Sequence, residues 1–110
     1  MNITVSDLDG AALVRLDGEV DLSGSPRLRK ALLELAFARR DVVVDLSAVT
    51  YIDSSGIAAL VEAYQGTRDG TTRLVLAAPS LPVMRVLGLA RLDRVFTLAD
   101  SVESARAAMR

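Results

Sequence analysis

The chain has no cysteine and no histidine among its 110 residues. Without cysteine there is neither a disulfide nor a thiolate metal site. Without histidine, the usual general base for a serine nucleophile and the commonest metal ligand are both missing. Tryptophan is absent as well, and aromatics make up only 4%, so the core has to be aliphatic. The net charge of −1 leaves no electrostatic footprint for nucleic acid or an anionic membrane. No apolar run approaches the ~20 residues that cross a bilayer. The opening Met1-Asn2-Ile3-Thr4-Val5 lacks the basic and apolar regions of a signal peptide. A soluble cytoplasmic protein is the expectation.

The residues present suit one compact domain spanning 1–110: 51% are hydrophobic and 25% charged, ordinary globular usage. Charge is unevenly spread. Residues 1–25 carry Asp7, Asp9, Asp17, Glu19 and Asp21 against Arg15, whereas residues 26–40 carry Arg27, Arg29, Lys30, Arg39 and Arg40 against Glu34. The basic block reads as a solvated helix face.

Period-two alternation marks strands at Ile3–Val5 and Ala12–Leu16, with Asp9-Gly10 as a hairpin turn between them. Gly18 is expected to end the second strand, leaving Glu19-Val20-Asp21-Leu22-Ser23-Gly24 as loop. Ser25-Pro26 reads as a helix start, because serine caps and proline at the first position loses no needed donor. Leu28, Leu32, Leu35, Ala36 and Arg39 then share a face, widened by Leu33 and Phe37. Val42-Val43-Val44-Asp45-Leu46 lacks alternation, as a strand covered on both faces does, with Asp45 expected at its end. Ile57, Leu60, Val61 and Tyr64 predict a second helix, and Leu74–Ala77 another buried strand. Ser80 opens a short helix that should stop near Gly88. Val95-Phe96-Thr97 reads as a strand, and Asp100 with Glu103 as a capping box for a last helix through Val102, Ala105 and Met109. Tyr64 and Phe37 are expected in the core or at its rim. The order is β-β-α-β-α-β-α-β-α, an α/β fold with a mixed four- to five-stranded sheet and about four helices.

One segment concentrates polar chemistry. Tyr51-Ile52-Asp53-Ser54-Ser55-Gly56-Ile57 places two hydroxyls and a carboxylate at a helix N-terminus, where unpaired N–H groups and the helix dipole favour negative charge. Backbone donors there could meet a phosphate on Ser54. Asp and Ser are also the preferred caps, so spacing alone fits simple capping.

The whole chain resembles an anti-sigma factor antagonist of the STAS family. Gly18-Glu19-Val20-Asp21, then Val43-Val44-Asp45-Leu46-Ser47 leading to Ile52-Asp53-Ser54-Ser55-Gly56-Ile57, then Val86-Leu87-Gly88-Leu89 before Leu92-Asp93-Arg94-Val95-Phe96, carry the likeness in order. Ile57 and Ala58 stand where the family often has Leu and Gly. The resemblance implies a non-catalytic STAS fold whose Ser54 is phosphorylated. It implies a partner surface of Asp21, Ser23, Asp53, Ser54, Ser55, Gly56 and Ile57. The implied partners are an anti-sigma factor that is also a serine kinase, and a PP2C-type phosphatase. No cofactor is expected on this chain, since ATP and Mg²⁺ belong to the kinase. Neither nucleic acid nor membrane is expected as a partner, and oligomeric state stays open between monomer and weak homodimer. An enzyme reading has no histidine, a single Lys30 remote in sequence, and no G-x-S-x-G elbow. No glycine-rich nucleotide motif is present. The alternative is an unphosphorylated STAS subunit of a lipid-transport ABC system or another interaction module.

Overall fold

The computed structural model describes residues 1–109. Its elements run β1 (Asn2–Leu8), β2 (Ala11–Val20), α1 (Ser25–Phe37), β3 (Val42–Ile52), α2 (Ser54–Gln65), β4 (Leu74–Ala77), α3 (Leu81–Leu89), a 3₁₀ turn (Leu92–Arg94), β5 (Thr97–Ala99) and α4 (Val102–Ala108). The expected order holds. The five strands lie in the sheet in chain order, β1 antiparallel to β2 and all later pairs parallel. Asp9 and Gly10 both have positive φ, the geometry whose twist matches a two-residue hairpin.

The two sheet faces are covered unequally. Val14, Leu16, Val42, Val44, Leu46, Leu74 and Leu76 meet Leu28 and Leu32 of α1, Ile57 and Leu60 of α2, and Val83 and Leu87 of α3. Each fully buried leucine there contributes roughly 1.5–3 kcal/mol relative to exposure. The opposite face has only Val43, Val75 and Ala77 against Ala105 of the short α4. Beyond α4, on β2 and β3, Arg15 lies directly across from Asp45 and binds it through Nε at 3.0 Å.

Several elements differ from the sequence expectation. β2 continues past Gly18 to Val20, because Gly18 takes φ +93° at a shift in the β2–β3 register and lets the strand bend rather than stop. β3 runs on to Ile52, and its irregular register conceals the second half from a period-two reading. Asp45 is therefore mid-strand and buried, although it does bond local backbone, accepting from the Ser47 N–H at 3.0 Å. Gly24, not Ser25, occupies the cap of α1, and Ser25 is buried in its first turn. Arg39 lies beyond that helix with φ +56°, and Phe37 is 83% exposed rather than in the core. Tyr64 does pack edge-on against Phe96, with centroids 5.3 Å apart.

Gly88 sits within α3, which ends at a left-handed Arg91 instead. The last strand begins at Thr97, since Val95 and Phe96 close the 3₁₀ turn through bonds to the Leu92 carbonyl. The capping box of α4 is Ser101 with Ser104, one residue later than Asp100 with Glu103.

Candidate functional site

In an open sheet of parallel strands, the carboxyl ends of the strands are where loops collect working groups. Here β2 and β3 end side by side: Val20 pairs with Ile52, and the Asp53 N–H donates to the Val20 carbonyl at 3.1 Å. That bond brings the turn after β2, with Asp21 and Ser23, next to the start of α2.

Asp53 is the cap of α2. Its extended backbone turns the carboxylate back over the first helical turn. One oxygen, Oδ1, accepts from the Ser55 N–H at 2.9 Å, the Ser55 hydroxyl at 2.6 Å and the Gly56 N–H at 3.3 Å. The Ser55 hydroxyl is the largest influence holding the Asp53 carboxyl below its usual range. The backbone donors help, and the nearby Asp21 charge opposes them. Asp53 is thus ionised at neutral pH and accepts rather than donates.

Ser54 stands between these groups, and its side chain is exposed. Among the described residues its hydroxyl has no hydrogen-bond partner, whereas the half-buried Ser55 hydroxyl is committed to Asp53. The expectation that helix donors are free for a phosphate on Ser54 needs correction. The N–H groups of Ser55 and Gly56 are already taken by Asp53, and the Ile57 N–H bonds the Asp53 carbonyl at 3.1 Å. Arg29, which borders the same α1–α2 groove as Ser55, is held by Glu62 at 2.8 and 2.9 Å.

Gly56 and Ile57 face inward. A Cβ on Gly56 would lie 2.7 Å from Val20 Cγ1 and 2.9 Å from Ile52 Cγ1, so only a bare Cα allows α2 to seat on the strand ends. Ile57 is buried in the main core. Of the residues expected to form a partner surface, Asp21, Ser23, Asp53, Ser54 and Ser55 gather at this end, while Gly56 and Ile57 lie beneath them as support.

A second copy of the same local device escaped the sequence reading. Asp21-Leu22-Ser23-Gly24 and Asp53-Ser54-Ser55-Gly56 are both D-x-S-G strings. Asp21 Oδ1 accepts from the Ser23 N–H at 3.0 Å and the Ser23 hydroxyl at 2.6 Å. The Ser23 hydroxyl is again the main reason that carboxyl lies below its usual range. The outward middle residue here is Leu22, 73% exposed. Tyr51, half exposed where β3 ends, adds a second apolar group to this end. The repeated string was the signal that could have found Leu22. Nothing in the local pattern marks Tyr51.

The site contains acceptors, one free hydroxyl and exposed apolar groups, with no base beside the hydroxyl except carboxylates. Among the described residues no group of three or more His, Cys, Asp and Glu side chains is placed to hold a metal. No helix among them is long and apolar enough to cross a membrane.

Comparison with known proteins agrees with this architecture. The anti-sigma-F factor antagonist RsfB of Mycobacterium tuberculosis is 30% identical over 111 residues, covering 100% of this chain and 90% of that protein. A crystal structure of an anti-sigma factor antagonist from Mycobacterium paratuberculosis superposes with a TM-score of 0.91 at 29% identity, covering 99% of this chain and 93% of that one. Sulfate transporter 1.3 of Arabidopsis thaliana is 29% identical over 116 residues, covering 88% of this chain but 18% of the transporter. The anti-sigma relatives are regulatory binding proteins rather than enzymes. The sequence profile of the STAS domain matches residues 2–105, and with the sheet order and the strand-end serine already described, the chain belongs to the STAS domain family.

Proposed function

We propose that this protein is an anti-sigma factor antagonist switched by phosphorylation of Ser54. Unmodified, it binds an anti-sigma factor that is also a serine kinase and so frees a sigma factor. The kinase, carrying ATP and Mg²⁺, transfers the γ-phosphoryl group to the Ser54 oxygen with loss of the hydroxyl proton, leaving ADP. A PP2C-type phosphatase returns the serine by hydrolysis. The reaction places the chain in the cytoplasm. The observation that carries the reading is the exposed, unengaged Ser54 hydroxyl flanked by two ionised aspartates. The names of the relatives support the partner class.

Two features of the site set the mechanism. Phosphate adds about −1.5 to −2 charge at pH 7, beside Asp53 and the neighbouring Asp21. Since Asp53 already occupies the Ser55 and Gly56 donors, that charge stays outward, toward the partner. A docking surface fitted to a hydroxyl then faces a bulky dianion without an internal counter-charge, and unpaired charge at an interface costs several kcal/mol. Blockade is local and needs no refolding.

The test is incubation with anti-sigma factor kinases and ATP, read by intact mass and peptide mapping. Wild type should gain one phosphate at Ser54. A Ser54→Ala protein phosphorylated as readily as wild type overturns the assignment. The sulfate transporter match favours a second reading, an unphosphorylated STAS module of a transport system. Affinity capture from the native cell separates the two, since a transport ATPase recovered in place of an anti-sigma kinase selects the second.

A further inference from the structure

The two edges of the sheet are finished differently. β5 is three residues long and is followed closely by α4. β1 runs seven residues, in unbroken register with β2. An edge strand presents unpaired N–H and C=O groups, and folds usually blunt it with lysine, proline, a bulge or shortness. Asn2-Ile3-Thr4-Val5-Ser6-Asp7-Leu8 has none of these. Its one charge, Asp7, is paired with Arg40 at 2.9 Å, so two such edges do not repel.

The turn fixes which groups face outward. Across Asp9-Gly10 the Leu8 carbonyl is placed to accept from the Ala11 N–H, so Leu8, Ser6, Thr4 and Asn2 bond toward β2. Alternation then turns the N–H and C=O groups of Ile3, Val5 and Asp7 to the open edge. Ile3 and Val5 lie opposite Leu16 and Val14, on the core face of the sheet, and Val5 is 49% exposed.

We infer that β1 pairs with β1 of a second copy of this chain, antiparallel about a two-fold axis at Thr4. Ile3 of each copy then exchanges backbone hydrogen bonds with Val5 of the other, and their side chains meet on the core face. Asn2 comes opposite Ser6 of the second copy. The contact is small, so association is weak and concentration-dependent. Because the two sheets run in opposite directions, the Ser54 ends point away from each other and both stay open to partners.

Sedimentation equilibrium from low-micromolar to near-millimolar concentration tests this, alongside amide hydrogen exchange. Wild type should pass from monomer to dimer, with added protection at the Ile3, Val5 and Asp7 amides. Val5→Lys sets a charge against Ile3 of the second copy and brings two like charges diagonally across the seam, and should weaken dimerisation at least about tenfold. Val5→Pro removes an outward donor while sparing the ladder to β2, and should do the same. Thermal melts near the wild-type value confirm that either variant is folded, and one folded variant suffices. Ser54→Asp should dimerise as wild type does. The inference is overturned by a wild type that stays monomeric, by folded Val5 variants that dimerise undiminished, or by Ser54→Asp abolishing the dimer. None of these results bears on the phosphorylation assay, so failure of the edge pairing and failure of the switch are told apart.

Discussion

The chain builds one four-residue device twice, at Asp21-Leu22-Ser23-Gly24 and at Asp53-Ser54-Ser55-Gly56. In both, an aspartate Oδ1 takes the N–H and the hydroxyl of the serine two residues on, with the hydroxyl at 2.6 Å each time. In both, that tie turns the middle side chain out to solvent. The settings differ. Asp53 caps a helix directly and adds the Gly56 N–H, whereas Asp21 meets Gly24 and Ser25 only through its own carbonyl, and the helix starts after the turn. One device therefore presents an apolar leucine on a local turn, and the other presents a serine on a helix locked to the core. The chemistry of the exposed residue is independent of the scaffold that exposes it.

The difference can be pressed experimentally. The largest effect is expected from Ser54→Asp, which under the proposed switch should weaken binding to an anti-sigma kinase about a hundredfold, near 2.7 kcal/mol. Calorimetric titration measures it, while the melting temperature should barely move. Next comes the fourth position of each string. Gly56→Ala forces a methyl onto Val20 and Ile52 and should cost about 1–3 kcal/mol in urea unfolding. Gly24→Ala meets only the Met1 side chain, at 3.1–3.3 Å, which can swing aside, so its cost should be no more than ~0.5 kcal/mol. Equal costs would mean that the two turns are equally tied to the core.

Asp53→Ala removes a helix cap and should cost about 1 kcal/mol. Asp21→Ala breaks only a turn and should cost less in the same assay. The smallest effect is expected on mild acidification. Asp21, Asp53 and Asp45 all have carboxyls held below their ordinary values. For Asp45 burial pushes up most strongly, yet Ser47 and Arg15 together prevail. A carboxyl depressed on folding stabilises the protein fully above its unfolded pKa, and that contribution is lost as pH falls through the folded value. Melting temperature should be flat from pH 7 to about pH 5 and decline below about pH 4. A decline already complete at pH 5 contradicts the depressed values.

Much of this was legible in the sequence. Period two gave the hairpin, β-branched runs gave the central strands, and Leu and Ile spacing gave α1 and α2, because burial on one face leaves a periodic trace. The second half of β3 left none. Where its register with β2 shifts, inward and outward positions cease to alternate, and the strand read from sequence stopped at Leu46. Phe37 was expected inside on hydrophobicity alone, yet it follows Leu33 by one turn on the exposed side of α1, away from Leu28 and Leu32. At the site, the Asp53 cap was visible in residue type. Its consumption of the phosphate-ready donors was not, since which acceptor reaches a given N–H depends on backbone angles that D-S-S-G leaves undetermined. Gly56 was legible as a motif member but not as a steric requirement, because Val20, which it would strike, lies far away along the chain.

That steric requirement also bears on how a message is delivered. With no Cβ at position 56, the first turn of α2 rests against two strand ends as on a stop, and the neighbouring serine inherits the rigidity of the core. In the proposed switch such a residue is a fixed post to which charge is attached or removed. The two forms that the proposed switch requires should differ in what a partner feels at one spot and hardly at all in shape.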